Sequence, residues 1–307
     1  INMYRKAFLF FQLIFLLSAN SLAAETRYHD QLISQYENSI KNKIADNLAI
    51  QSSYIDDRLT ADVYSLIEYP VKKITKLFTD KSNICEFMLL NLNIKTCLNQ
   101  NRDHQSRLII YAGRKFYQHP GDAEKLAYLI IDKTVHGKYV DLLLTSKDGP
   151  YNTSDYLIHI RAIAYKAKTI LHIRSAYTTS VMSRLGSSVY LATLGRGKIG
   201  FSIKGYSDTH EPVYVDGEDG VIERNAMRYY LAILAMLTPV EKSEKSQFIK
   251  RAEYWFDQTQ KYKKQLYELS KNEYIAAKQQ EYDNQIALQK IIDQGGELDA
   301  IFNTDDD

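Results

Sequence analysis

The stretch YVDLLLTSKDGPYNTSDYLIHIRAIAYKAKTILHI, residues 139–173, carries the strongest pattern of the chain. Its two ends, Tyr139 to Thr145 (YVDLLLT) and Thr169 to Ile173 (TILHI), are short apolar runs of the length of a buried strand. Between them, Ser154 to Lys166 (SDYLIHIRAIAYK) carries apolar residues that can be laid along one face of a helix. Read so, the stretch is strand–helix–strand, a unit that calls for parallel strands and a right-handed crossover. The alternation continues outward. Arg107 to Gly113 (RLIIYAG) reads as a strand, and Pro120 to Val135 (PGDAEKLAYLIIDKTV) as an amphipathic helix with proline at its start. A short helix is expected over Ser180–Leu185, and further strands at Val189–Leu191 and Gly200–Ile203. The expected core, residues 106–240, is therefore an α/β layer with a mostly parallel sheet.

The flanks read as helical. In residues 24–105, Leu32, Ile33, Tyr36, Ile40, Ile44 and Leu48 recur at three- and four-residue spacing. Further helical segments are expected through Leu59–Ile67, over Val71–Phe78 and from Ile84 to Cys97. The polar run Asn99–Ser106 supplies a boundary. Residues 241–307 form a helical C-terminal extension with an acidic tail. There Trp255, Thr259, Tyr262, Leu266 and Leu269 make a narrow seam, suited to another helix of the same domain or to a partner subunit.

Composition restricts the setting. Arg5 and Lys6, the apolar run Ala7–Leu17 and the small residues of Ser21-Leu-Ala23 make residues 1–23 a cleavable signal peptide, so the chain is expected to be exported to the periplasm or beyond. No later stretch is apolar enough for a membrane span. The whole chain has 39 basic and 37 acidic residues, and loss of the leader leaves 37 of each, which gives no footprint for nucleic acid. In an oxidising compartment the only two cysteines, Cys85 and Cys97, read as one disulfide, the other possibility being two buried thiols. No motif points to a metal or a cofactor: there is no HExxH, P-loop or dinucleotide fingerprint. His159 and His172 read as hydrogen-bonded structural histidines.

Three segments give the core a resemblance to the ClpP/crotonase superfamily. Leu142-Leu-Leu-Thr-Ser-Lys-Asp-Gly149 resembles the strand and glycine turn that supplies an oxyanion-hole N–H there. Ile173-Arg-Ser-Ala-Tyr-Thr-Thr-Ser180 resembles the strand leading to the nucleophile. Tyr267-Glu-Leu-Ser270, Ile286-Ala-Leu and Gly296–Phe302 are similar to the family's closing helix. The resemblance implies a nucleophile at Thr178 or Ser180, an oxyanion hole from the Gly149 and Thr179 N–H groups, and a base at Lys204 or His210. Asp257 or Glu253 would supply a third member. The sequence departs from the pattern. Threonine replaces the serine at 178, serine replaces the glycine at 180, and the histidine position falls at Ile203 or Lys204.

Two functions follow. With those losses, the chain is expected to be an exported, non-catalytic binding or effector-like protein that meets a protein or peptide partner through its 24 tyrosines and its helical surfaces. The alternative is a peptidase-like hydrolase using a hydroxyl nucleophile, possible as a homo-oligomer as in the resembled superfamily. A crotonase-type acyl-thioester enzyme is disfavoured, because coenzyme A is not expected outside the cytosol.

Overall fold

The structure, a computed structural model, describes residues 26–55, 58–102, 105–136, 139–149, 153–179, 197–239, 244–298 and 302. The expected signal peptide, Ser180, the expected short helix from Ser180 and the expected strand at 189–191 lie outside the described residues.

The chain opens with helix α1 (residues 26–39), then strands β1 (Lys43–Ala45), β2 (Leu48–Ile55) and β3 (Arg58–Ile67). Helices α2 (Val71–Thr79) and α3 (Lys81–Leu89) follow. Six strands come next: β4 (Ile94–Arg102), β5 (Gln105–Ala112), β6 (Glu124–His136), β7 (Tyr139–Asp148), β8 (Thr153–Tyr165) and β9 (Lys168–Thr179). A small hairpin, β10 (Ile203–Tyr206) and β11 (Pro212–Tyr214), precedes α4 (Gly217–Leu237), α5 (Glu244–Gln260), α6 (Lys263–Leu266) and α7 (Lys271–Asp293).

Strands β1 to β9 form one nine-stranded sheet in the order β1-β2-β3-β9-β8-β7-β6-β5-β4, every neighbouring pair antiparallel. This corrects the expected ClpP/crotonase-like α/β core with its mostly parallel sheet. Residues 124–136 and 154–165 are strands, not helices, so no helical crossovers separate the strands of the meander. The physical reason lies in the alternation. In β8, Ile158, Ile160 and Ala162 are buried in the main core, while His159 and Arg161 point to the other face. That is a period of two, which a helical reading of the same letters obscures. The joins are tight: His136 pairs with Tyr139, and Tyr165 pairs with Lys168 across a turn in which Lys166 takes φ 56°. The N-terminal region is likewise mostly sheet. Leu59, Val63 and Ile67 belong to β3, and β4 pairs with β5 over the boundary expected between residues 105 and 106.

Helices α2 and α3 carry the chain from β3 to the far edge of the sheet. Pro70 opens α2, whose Val71, Ile74, Leu77 and Phe78 are buried beside β6, β7 and β8. Asp80 then caps α3, its carboxylate accepting from the Ser82 N–H at 2.9 Å. Phe78 and Phe87 meet edge to face, and full burial of such a ring stabilises by about 1.5–3 kcal/mol. The Cys85–Cys97 disulfide is formed and joins α3 to β4. Helix α4 lies over β2, β3 and β9. Behind it α5 and α7 pack through Trp255–Tyr274 and Phe248–Tyr282 stacks, so the C-terminal seam is used within the chain. On the opposite face of the sheet, α1 buries Leu32 and Tyr36 against Tyr64, Ile163 and Ile170.

Candidate binding site between the sheet and helix α4

Four tyrosines from four elements gather where the sheet faces α4. In β8 the register shifts between Ser154 and Leu157, and Asp155 takes φ 53°. This bulge sets Tyr156 against Tyr177 of β9, the rings stacked at 5.3 Å, and lets the Thr153 and Tyr156 hydroxyls bond at 2.8 Å. A side chain at Gly149 would put its Cβ 2.1 Å from Tyr156 Cε2, so glycine ends β7 because the ring lies there. Deeper in, Tyr128 of β6 and Tyr229 of α4 are 4% and 8% exposed. Phe87 lies 5.8 Å from Tyr229, ring to ring. At the outer end, Tyr54 is half exposed and donates to Glu218 at 3.2 Å.

Burial pushes all four phenols up. For Tyr128 the nearby Tyr229 and Tyr156 add to the effect, and for Tyr177 so do Tyr156 and Glu218. They are therefore neutral donors throughout ordinary pH. The Tyr128, Tyr177 and Tyr229 hydroxyls have no hydrogen-bond partner among the described residues. Their oxygens are not sealed in the core, Tyr177 being only partly buried, so three in one place offer donors to a bound acceptor. Tyr230, next in sequence, differs. It pairs with Ser65 at 3.1 Å and, raised by burial to about 12, also stays protonated.

Of the residues carried over from the superfamily resemblance, Ser180 lies outside the described residues, and Thr178, Lys204 and His210 fall on separate elements. Thr178 lies in β9 opposite Arg58 and Ser154, on the other face of the strand from Tyr177. Lys204 is on the β10 hairpin, paired with Asp216 at 2.8 Å. His210 is exposed in the following turn at φ 60°. Among the described residues no hydrogen bond or ion pair joins Thr178 to either of them. Gly149 and Thr179 sit at the same end of the sheet, on the two strands flanking β8. Asp257 is paired with Lys271, and Glu253 with Lys250.

His159 and His172 belong to a polar network on the outer face. His172 Nε2 and Asp62 Oδ1 are 2.6 Å apart, Arg174 grips both Asp62 oxygens at 2.8 and 3.0 Å, and Arg161 Nε donates to His172 Nδ1 at 3.0 Å. The acceptor role of Nδ1 fixes the tautomer with its proton on Nε2, directed at Asp62. His159 pairs with Asp141 at 2.6 Å. Gln35 of α1 receives a bond from Arg161, which ties the helix to this network. Among the described residues no group of three or more His, Cys, Asp or Glu side chains could hold a metal ion, and no helix is long and apolar enough to cross a membrane.

Comparison with protein-family models gives no match, and comparison with curated proteins gives none either. Among solved structures the chain is similar to CalU16 from Micromonospora echinospora, at 10% identity and a TM-score of 0.32, over 68% of this chain and 95% of that one. It is also similar to human StAR-related lipid transfer protein 5, at 8% identity and 0.35, over 56% and 90%. A third is truncated norcoclaurine synthase from Thalictrum flavum, at 9% identity and 0.33, over 47% and 88%. These likenesses are too loose to carry a function, and the correction of the fold rests on the strand pairing of this chain.

Proposed function

We propose that this chain is a non-catalytic binding protein that holds a neutral, largely apolar small molecule between the sheet and α4. One observation carries the reading: the Tyr128, Tyr177 and Tyr229 hydroxyls gather in a mostly apolar interior without a partner among the described residues. The apolar walls would supply affinity, and the phenols would select for carbonyl or hydroxyl oxygens. The expected partner thus shifts from a protein surface to a small molecule. That no described hydrogen bond joins Thr178 to Lys204 or His210, and that Lys204 pairs with Asp216, supports binding over hydrolysis. The disulfide supports an exported location, in keeping with the leader read from the sequence.

Prodan, a neutral naphthalene ketone whose emission reddens on hydrogen bonding, tests this. It is expected to bind residues 24–307 saturably at one site. Tyr128→Phe and Tyr229→Phe should each weaken binding about five- to tenfold and shift the bound emission to the blue. Binding and emission unchanged in the double variant would sink the proposal. So would hydrolysis of a peptide library that Thr178→Ala abolishes.

A further inference from the structure

Helix α2 turns lysines to the solvent and apolar residues to the sheet. Val71, Ile74, Leu77 and Phe78 are buried, while Lys72, Lys73 and Lys76 are exposed. The β8–β9 turn lies against the start of this helix. There the Thr169 hydroxyl donates to the Tyr69 carbonyl at 2.7 Å, and Lys168 pairs with Glu68. The same turn adds Lys166, which is exposed.

The acids of the neighbouring elements are committed one by one. Glu68 is held by Lys168, and Asp80, at the far end of α2, caps α3 through the Ser82 N–H. Asp141 of β7 pairs with His159 on the outer face of the sheet. Helix α5 brings Tyr254 near Tyr69, and the acid beside it, Glu253, pairs with Lys250 at 2.8 Å. In α4, residues 225–237 contain no acid. Lys72, Lys73, Lys76 and Lys166 form no ion pair among the described residues. The whole chain has 39 basic and 37 acidic residues, so this accumulation is local.

Its placement runs against helix electrostatics. Lys72 and Lys73 stand in the first turn of α2, where the dipole favours acids, and no side chain caps that end. Helices α4 and α7 follow the ordinary rule, with Glu218 and Asp219 in one first turn and Glu273 in the other. The nearby rings are covered by ammonium groups: Lys73 Nζ lies 5.0 Å from the centre of Tyr69, and Lys166 Nζ lies 5.7 Å from that of Tyr165.

We propose that this end of the molecule docks on an anionic lipid bilayer. Charge complementarity selects the partner. Helix α2 and the β8–β9 turn carry lysine and no arginine, and an ammonium is a point charge suited to a fluid sheet of phosphates rather than to a forked contact. The tyrosine faces are occupied by lysines, which leaves no platform for the bases of a single strand. None of the exposed large apolar side chains lies on α2 or on this turn, so the attachment is electrostatic, without insertion. The proposal does not rest on the tyrosine interior.

Sedimentation of residues 24–307 with vesicles of phosphatidylcholine containing about a third phosphatidylglycerol tests it. Binding to these vesicles is expected, with none to pure phosphatidylcholine and a steep loss as salt is raised. The variant Lys72→Gln/Lys73→Gln/Lys166→Gln, at exposed positions, should keep its Tm and bind at least about tenfold more weakly. Lys261→Gln/Lys263→Gln/Lys264→Gln removes the same charge from exposed positions on and before α6, and should bind as the parent chain does. No vesicle binding, equal binding to pure phosphatidylcholine, or an equal loss in the two variants overturns the proposal. So does capture of duplex DNA in place of the anionic vesicles.

Discussion

His172 shows what burial does to a single titrating residue. It is fully buried, and that burial, helped by Arg161 and Arg174 against the pull of Asp62, lowers its pKa to about 4. The unfolded imidazole titrates near 6.5, so between pH 6.5 and 4 the unfolded chain binds a proton that the folded chain refuses. Stability is then fully present above pH 6.5 and falls as the pH drops through this window, by roughly 3 kcal/mol from this one group. Asp62 adds to the acid sensitivity. Burial opposes its ionisation, but bonds from His172 and Arg174 outweigh that and hold its carboxyl below the usual value. Urea melts from pH 7 to 4 should show the loss, with a shallower slope in His172→Gln. Lys278 has the opposite end of the scale. Sealed with Lys95 and Glu281, it donates to Glu281 at 2.6 Å and to the Asn91 and Ile94 carbonyls at 2.7 and 2.9 Å. Burial, with Lys95 beside it, lowers its pKa from 10.5 to about 8, although Glu281 pulls the other way. The unfolded chain therefore holds the extra proton between pH 8 and 10.5, and stability should rise with pH across that range. Tm measured over this interval should climb in the parent chain and stay flatter in Lys278→Met.

Helix α7 acts on the sheet through its polar side. Lys278, Glu281, Gln285 and Gln289 stand three and four residues apart, one stripe along the helix. Gln285 accepts from the Cys97 N–H at 2.9 Å; Gln289 accepts from the Asn99 N–H at 2.8 Å and donates to its carbonyl at 3.0 Å. Two glutamines thus stand in for the missing neighbour of edge strand β4, which would otherwise offer open backbone groups for strand addition. Gln285→Ala should cost about 1–3 kcal/mol, because the Cys97 N–H is buried. The Gln285→Ala/Gln289→Ala pair should in addition associate at high concentration, read by sedimentation velocity. The capping box at Ser270 and Glu273 fixes where α7 starts and hence this register. At the same edge the Cys85–Cys97 disulfide closes a loop of sequence separation 12, and its reduction should lower stability by about 3 kcal/mol in denaturant melts.

For the whole molecule, the sheet runs from residue 43 to residue 179, and β3 pairs with β9 along its whole length. A fragment beginning at residue 106 lacks β1 to β4 and removes the strand on which β9 rests. It is expected to stay unfolded by circular dichroism, while the full chain melts in one transition. Ligand binding in the interior should be flat from about pH 5 to 9, since burial keeps its phenols protonated. A bell-shaped profile in the prodan assay would point instead to an ionising group in the site.

Much of this was legible along the chain, and the misreading had one source. Helices at 71–78 and 225–237, the strands at 107–113, 139–145 and 169–173, and the cysteine pair all follow from local pattern and appear where expected. The segments at 120–135 and 154–166 did not, because Leu126, Tyr128 and Ile130, or Ile158, Ile160 and Ala162, satisfy a period of two while their neighbours also fit a helical face. Pairing on both sides settles the choice in favour of strand. The cysteine pair, the charge balance and the richness in tyrosine could be read from residue identity alone. Packing alone settles which tyrosines meet, that Lys204 pairs with Asp216, and that Arg228, Lys198 and Lys115 converge on Glu268. Those residues come from elements up to 153 positions apart, and proximity between them arises from packing, on which local pattern is silent.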